Sequence, residues 1–522
     1  MGSMHASVRP PALLVLGLAA GLGLAGCSGS GGSGPASAGG GPAGTRAAGA
    51  APGGQGFEGG GAPPPGGWSA DEPGTTGDGQ RPFEVDPTRA PRSTFAMDVD
   101  TASYGYARSL LHGGARPSPD RVRPEEFVNA FRQDYPEPAG DGFTVTLDGA
   151  RLPRGHAGAG GDVRLLRVGL QTRAEDRATR PDAALTVVVD VSGSMGEPGK
   201  LDVVRRSLHA LVDEGRPTDT LALVTFSDEA RVLRPATPLR DRARLHEAID
   251  ALSARGGTGL EAGLVAGYEV AREGFRAGAT NRVVLLSDGI ANVGATDATS
   301  ILERVRDQAA QRVTLLGVAV GRDYADEMME RLADRGDGFV VYADEAEQAR
   351  RAFVDTLPAA LPVRALDAKV QVTFDPRTVA GYRLVGYDDR RLASEQFRDD
   401  RVDGGEVFAG HSVTALYLVR LRPGAEGGVA GTQLRWQDPR TQEPREIGAD
   451  VTVADLDAAL TASAPRLQVG YAAAFFAEQL RDGPQGAQVR TADLARIADA
   501  AAEGTEDPAV RELAELIRRA GE

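Results

Sequence analysis

Asp190, Ser192 and Ser194 follow one another at every second position, directly after the apolar run Leu185-Thr186-Val187-Val188-Val189. A β-branched run of this length suits a strand buried on both faces. A tight loop at its carboxyl end can turn alternate side chains toward one point, and converging oxygens are what a hard cation needs. Strand carboxyl ends are also where open α/β sheets hold their ligands. Two further stretches supply oxygens of the same kind. Arg255-Gly256-Gly257-Thr258-Gly259 sets a hydroxyl in a Gly-rich loop, and Val283-Val284-Leu285-Leu286-Ser287-Asp288 repeats the first pattern, an apolar strand ending in an aspartate.

In this order, DxSxS, a loop threonine and a strand-end aspartate resemble the metal-ion-dependent adhesion site of von Willebrand factor A-type domains. The resemblance implies that the hydroxyls of Ser192 and Ser194 bind the metal directly and that Thr258 joins them in the ligand-bound form. Asp190 and Asp288 would act mainly through water, supplying charge. Neutral hydroxyls leave the cation electron-poor, so a Glu or Asp from a protein partner completes an octahedron around Mg²⁺, with Mn²⁺ or Ca²⁺ as alternatives. A plainer reading makes Ser192 and Ser194 caps for the helix that begins near Lys200, with Asp190 held by backbone donors. Glu197, Asp228, Glu229 and Glu261 either favour a basic rim on the partner or form a solvated acidic surface.

Other chemistry is poorly supported. Asp98 and Asp100 have the spacing of the haloacid dehalogenase nucleophile pair, but Thr101 comes one place early and helical sequence follows at once. Asp100 or Thr101 reads better as the N-cap of a helix running to about His112. His411 lies in Gly-His-Ser without a Gly-x-Ser-x-Gly nucleophile elbow nearby, and reads as a turn or hydrogen-bonding residue. His112, His156, His209 and His246 are scattered, with no His-x3-His pair and so no zinc signature. A metal-assisted hydrolase would need a general base or second metal beside Asp190, and none stands out. The chain reads as a binding protein rather than an enzyme, the alternative being a scaffold whose metal site is structural or vestigial.

From residue 184 to about 361, strand and helix patterns alternate. Strands are predicted at 185–190, 220–226, 283–287, 313–320 and 339–342, with an edge run near 231–235. Amphipathic helices are predicted at 201–213, 242–254, 260–274, 301–311, 326–334 and 345–356. This alternation specifies a doubly wound, mostly parallel α/β sheet. Before it come a helix at 124–135 and strands at 143–147 and 163–172, whose alternating polarity predicts one solvated face. After it come strands at 365–374, 382–387, 411–421, 432–436 and 447–453, then helices at 467–481, 491–502 and 508–519. Neither set of flanking strands has enough neighbours alone, so the two should pair into one antiparallel β-sandwich with the A-type domain inserted. The stretch 93–138, together with Tyr382-Arg383-Leu384-Val385-Gly386-Tyr387 and Gly410-His411-Ser412-Val413-Thr414-Ala415-Leu416-Tyr417, resembles the flanks of a family of bacterial A-domain lipoproteins.

The start of the chain fits such a lipoprotein. Arg9 precedes an apolar stretch at 12–24, and Leu24-Ala25-Gly26-Cys27 resembles a lipidation signal, in which the Cys27 thiol takes a diacylglyceryl group. Residues 1–26 would then be a signal peptide, and 27–92, rich in Gly, Pro, Ala and Ser, a disordered tether. The remaining divisions expected are a flanking segment at 93–183, the A-type domain at 184–361 and a C-terminal domain at 362–522. The chain would be lipid-anchored and extracytoplasmic. Cys27 is the only cysteine, which excludes an intrachain disulfide. A formal charge of −15 with pI near 5.1 and no basic block argues against a nucleic-acid partner.

Overall fold

The computed structural model describes residues 85–521 except 98–99, 154–161, 176–179, 289–299, 302–312, 322–328, 330–331, 333–338, 344–362, 389, 401 and 403. Cys27 and the tether up to residue 84 lie outside these residues, as do Asp98, His156 and nearly all of the three helices expected between 301 and 356. The last residues expected in the tether, 85–92, are instead ordered, with Val85 bridging Tyr382 and Arg92 opening the first strand. The chain enters through β1 (Arg92–Ala96), α1 (Ala102–His112), α2 (Pro124–Asn129), β2 (Phe143–Arg151) and β3 (Asp162–Thr172). It then builds β4 (Ala183–Asp190), α3 (Leu201–Glu214), β5 (Thr220–Phe226), β6 (Ala230–Pro238), α4 (Arg242–Asp250), α5 (Leu260–Glu273), β7 (Thr280–Ser287), β8 (Val313–Val320) and β9 (Phe339–Ala343).

These last strands form one sheet in the order β6-β5-β4-β7-β8-β9. Every pairing is parallel except that of the edge strand β6 with β5. The strands read as continuous apolar runs because both faces are covered. Val187 and Val189 point into one core with Leu208 and Leu211 of α3, while Val188 points into the other with Leu264 and Tyr268 of α5. From β4 the chain steps outward to β5 and β6, then returns to add β7 on the opposite side. The carboxyl end of β4 is therefore a topological switch point, the place where such sheets open a crevice.

After the A-type sheet come β10 (Val363–Phe374), β11 (Val379–Val385), β12 (Arg391–Leu392), β13 (Val407–Phe408), β14 (Ser412–Leu421), β15 (Gly428–Gln437) and β16 (Pro444–Thr452). The strands flanking the A-type sheet do pair. β3 runs antiparallel to β14 from Asp162↔Leu421 to Gln171↔Ser412, in a sheet ordered β11-β14-β3-β2. A second sheet, β12-β1-β10-β15-β16, carries β13 on β10 and packs against the first through Leu166, Val168, Tyr417, Val370 and Leu434. The A-type sheet is thus an insertion between two strands of a β-sandwich. The opposite face of the first sheet is covered by α6 (Pro465–Leu480), α7 (Thr491–Thr505) and α8 (Pro508–Ala520), with Leu165, Leu416 and Leu418 meeting Phe476, Leu494 and Leu513. Helix α6 is apolar nearly all round, as suits a helix buried on every side.

That helical layer corrects the expectation of a solvated face on β2 and β3, because β3 is buried along its whole length after Asp162. Its charges are neutralised by partners both near and far along the chain. Arg167 makes a bidentate pair with Asp148 at 2.6 and 2.8 Å and lies over the Tyr135 ring, while Arg164 reaches Asp162 and Asp457. Two helices also end early. Beyond Asn129 the Gln133 side-chain amide donates to the carbonyls of Val128 and Phe131, and the Asn129 side-chain oxygen Oδ1 accepts the Thr414 amide, so α2 stops short of Tyr135. Helix α4 stops at Asp250 rather than 254 because the chain is drawn toward β4, where the Arg255 amide donates to the Val191 carbonyl at 2.6 Å.

The start of α1 differs from expectation too. Thr101 occupies the N-cap position without a side-chain cap bond. Asp100 is buried and accepts the Val340 amide of β9 at 2.7 Å, with Arg390 at 3.5 Å. It ties the N-terminal segment, the A-type sheet and the sandwich together, which accounts for the residue without chemistry.

Candidate metal centre

Asp190 ends β4 fully buried. One carboxylate oxygen accepts the Ser192 amide at 2.8 Å and the other accepts the Ser287 hydroxyl at 2.6 Å, so the neighbouring strand β7 helps to orient it. Beyond it the hydroxyls of Ser192 and Ser194 lie 3.1 Å apart. Neither is spent as a cap: Ser192 precedes a short 3₁₀ turn without a side-chain cap bond, and the N-cap position of α3 is held by Lys200. The capping part of the plain reading therefore has no support in the geometry, whereas its backbone donor to Asp190 is present in the Ser192 amide.

The loop carrying Thr258 is stitched to this one. Gly193 donates to the Gly256 carbonyl at 3.0 Å, beside the Arg255–Val191 bond, and Thr258 is buried. Gly256 has a left-handed φ of +70°, and a Cβ there would come within 2.3 Å of an Asp228 carboxylate oxygen. The other oxygen of Asp228 accepts the Gly257 amide at 2.9 Å. Asp228 thus organises the loop from outside. Gly256→Ala should cost about 1–2 kcal/mol from the backbone conformation alone, displace Asp228 and weaken metal affinity. Denaturant unfolding and metal titration of the variant would check both.

Asp288, buried just beyond β7, has a partner that the sequence did not suggest. The Lys200 ammonium sits 3.0 Å from its carboxylate and 2.9 Å from Glu197. Burial works against the charge on Lys200, but the two carboxylates outweigh it and raise the ammonium's pKa. The lysine stem runs past Gly321, where a Cβ would approach Lys200 Cε to 2.8 Å. Among the acidic neighbours, Glu197 and Asp228 are thus engaged by this chain's own groups.

These residues fit a small hard cation. Adjacent oxygens of an octahedral Mg²⁺ site, each about 2.1 Å from the ion, lie about 3.0 Å apart, and the serine hydroxyls are 3.1 Å apart. Asp190 supplies negative charge directly behind them. Among the described residues no three His, Cys, Asp or Glu side chains converge on a metal position, so any ion here would rest on hydroxyls.

The charge behind the serines is itself costly. Burial raises the Asp190 carboxyl's pKa, against hydrogen bonds from Ser287 and Ser192 that lower it, and the nearby Asp288 adds to the rise. A folded-state pKa above the unfolded 3.8 gives stability that is full below pH 3.8 and is lost as pH rises through the folded value. Chelator-treated wild type should therefore lose stability relative to Asp190→Asn over that rise, and Mg²⁺ should reverse the loss for wild type alone. Thermal unfolding of both proteins from pH 4 upward would check the sign.

His411 is half-buried, and desolvation of its ring together with the charge of Arg282 pushes its pKa down to about 4. Its ring packs edge-on against Phe408, whose face is covered by the Arg282 guanidinium 4.7 Å away. Phe408 and His411 belong to the sandwich and Arg282 to β7, so this cluster joins the inserted sheet to its host. His209 and His246, scattered in sequence, come together on α3 and α4. A repeated His-x3-Asp, His209 with Asp213 and His246 with Asp250, was the available signal.

Residues 184–355 match the von Willebrand factor type A domain model, residues 359–522 the model described as "Uncharacterized protein YfbK, C-terminal", and residues 80–157 one described as "von Willebrand factor". The chain is 35% identical over 340 residues to the "Uncharacterized protein YfbK" of Escherichia coli (strain K12), covering 63% of this chain and 58% of that protein. It is also 26% identical over 292 residues to "Uncharacterized protein sll0103" of Synechocystis, covering 54% and 68%. The match thus spans a little over half the length of the E. coli relative. Among solved structures, "von Willebrand factor type A from Catenulispora acidiphila" aligns with a TM-score of 0.44 at 17% identity, over 73% of this chain and 91% of that one. The chain is a homologue of YfbK, a bacterial protein of the von Willebrand factor A group, and joins an A domain to the YfbK C-terminal domain.

Proposed function

We propose that this protein binds a protein partner through a divalent cation held by Ser192, Ser194 and Thr258, with Asp190 and Asp288 supplying charge behind them. The cation, Mg²⁺ by preference, offers an electrophilic position that a partner's Asp or Glu completes. The observation that carries this reading is the pair of uncapped serine hydroxyls 3.1 Å apart above a fully buried carboxylate, at the switch point of the sheet. Membership of the A-domain group supports interaction over catalysis.

The carboxylate requirement can be tested before the partner is identified. Mn²⁺ would be loaded in place of Mg²⁺ and the relaxation of bulk water followed on adding a short Glu-containing peptide. The reading predicts a fall in relaxation as the carboxylate displaces bound water, no fall with the Gln peptide, and none with Asp190→Ala. Equal responses to Glu and Gln peptides would overturn it.

Lipid anchorage at Cys27 belongs to the same proposal, since a partner-binding module at the cell envelope needs a tether. Among the described residues no helix is long and apolar enough to cross a membrane. Cys27→Ser should abolish incorporation of labelled palmitate in a bacterial host.

A further inference from the structure

Helices α3 and α4 pack side by side, and each carries a His followed four residues later by an Asp. The pairs cross over. His209 Nε2 lies 3.1 Å from Asp250, His246 Nε2 lies 3.1 Å from Asp213, and the two Nδ1 atoms face each other at 2.6 Å. The ring planes are inclined by 28° and the centroids are 4.9 Å apart, so the rings lie edge to edge along the line joining the two Nδ1 atoms. Each carboxylate therefore comes from the helix opposite its histidine, and the order across the seam is Asp250, His209, His246, Asp213.

Hydrogen bonding to carboxylates sets the protons. Each Nε2 donates its hydrogen to an aspartate, which leaves each Nδ1 presenting a lone pair. Two lone pairs at 2.6 Å need a positive centre between them. An imidazole whose far N–H is held by a carboxylate is the arrangement that orients metal-binding histidines and raises their basicity. Here that outer support is already in place on both rings, and the carboxylates need not touch the metal. A site of this kind would have two protein ligands, since no three His, Cys, Asp or Glu side chains converge on a metal position among the described residues.

We propose that the α3–α4 seam is a second metal site, separate from the serine cluster, which takes a borderline divalent transition ion such as Zn²⁺ through Nδ1 of His209 and Nδ1 of His246. Imidazole nitrogen favours such ions over Mg²⁺ or Ca²⁺, which separates the two sites chemically. Metal–nitrogen distances of about 2.0–2.1 Å in a tetrahedron set the nitrogens about 3.4 Å apart, so the rings must back away from each other. Both have room to do so, since their side chains are 30% and 28% exposed, and water can fill the remaining positions.

The test is calorimetric titration of Zn²⁺ into the full chain with Mg²⁺ in excess, so that the hydroxyl site is saturated throughout. The wild type should bind one more equivalent of Zn²⁺ than His209→Ala or His246→Ala. Asp213→Asn should keep that equivalent but weaken it about 10–100-fold. Unchanged melting temperatures in chelator would establish that the variants fold, and His209→Gln with His246→Gln provides a milder pair if alanine does not. The same Zn²⁺ stoichiometry in folded variants and wild type would overturn the proposal and leave the paired histidines sharing only a proton.

Discussion

Asp190→Ala should abolish the Mg²⁺-dependent stabilisation expected of the proposed site, and with it binding of the proposed partner. At a Mg²⁺ concentration one hundred times its Kd, the wild type gains about 2.7 kcal/mol from mass action, and the variant should gain nothing. The effect is large because Asp190 does three things at once. It orders the loop by accepting the Ser192 amide, it ties that loop to β7 through Ser287, and it places a buried charge behind the two hydroxyls. Alanine leaves two buried donors without their acceptor, which costs about 1–3 kcal/mol for each. Asp190→Asn retains most of that hydrogen bonding, since the Ser287 hydroxyl can turn to accept from the amide. Its loss of the Mg²⁺ response would therefore isolate the role of charge. Thermal unfolding with Mg²⁺ and with chelator separates the two variants.

Lys200→Met should lower the stability of chelator-treated protein by about 3–5 kcal/mol, the usual consequence of breaking a buried ion pair and leaving one charge behind. Both side chains of the Lys200–Asp288 pair are 7% exposed, so water cannot replace the ammonium. The outcome with metal runs the other way. A divalent ion near Asp288 compensates for the missing lysine, so Mg²⁺ should recover much of the loss and bind the variant more tightly than the wild type. The lysine acts in this account as an internal counter-ion that keeps the site folded when metal is scarce, at some expense in affinity. Paired denaturant curves, with and without Mg²⁺, measure both parts. Equal destabilisation in both conditions would mean that Lys200 supports only packing along Gly321.

The inserted sheet was legible because its strands are buried on both faces. The runs 220–226 and 313–320 coincide with β5 and β8 to the residue. The sandwich was legible in outline, since strands that lack neighbours must find them. What escaped was decided by contacts distant in sequence. Alternating polarity in β3 reads the same whether Arg164 and Arg167 face water or are paired with Asp457 and Asp148. The end of α2 depends on Asn129 reaching Thr414 of a strand nearly 300 positions away. At the candidate site, DxSxS, the loop threonine and the strand-end aspartate were readable as local patterns. Lys200 was not: it is one of only two lysines in the chain, but nothing local ties it to an aspartate 88 positions away. The histidine pair was hidden because 37 residues separate its members, and only the repeated spacing to an aspartate marks them.

The central claim is that the carboxyl end of β4 holds a divalent cation through Ser192 and Ser194. The most direct measurement is calorimetric titration of Mg²⁺ and Mn²⁺ into metal-stripped protein, wild type beside Asp190→Ala. Saturable binding of one ion is expected in the wild type and none at that site in the variant, with a Mg²⁺-dependent rise in melting temperature confined to the wild type. Identical titrations and identical melting temperatures for the two proteins would contradict it, and the A domain would then act as a metal-independent scaffold held together by Lys200 and Asp288.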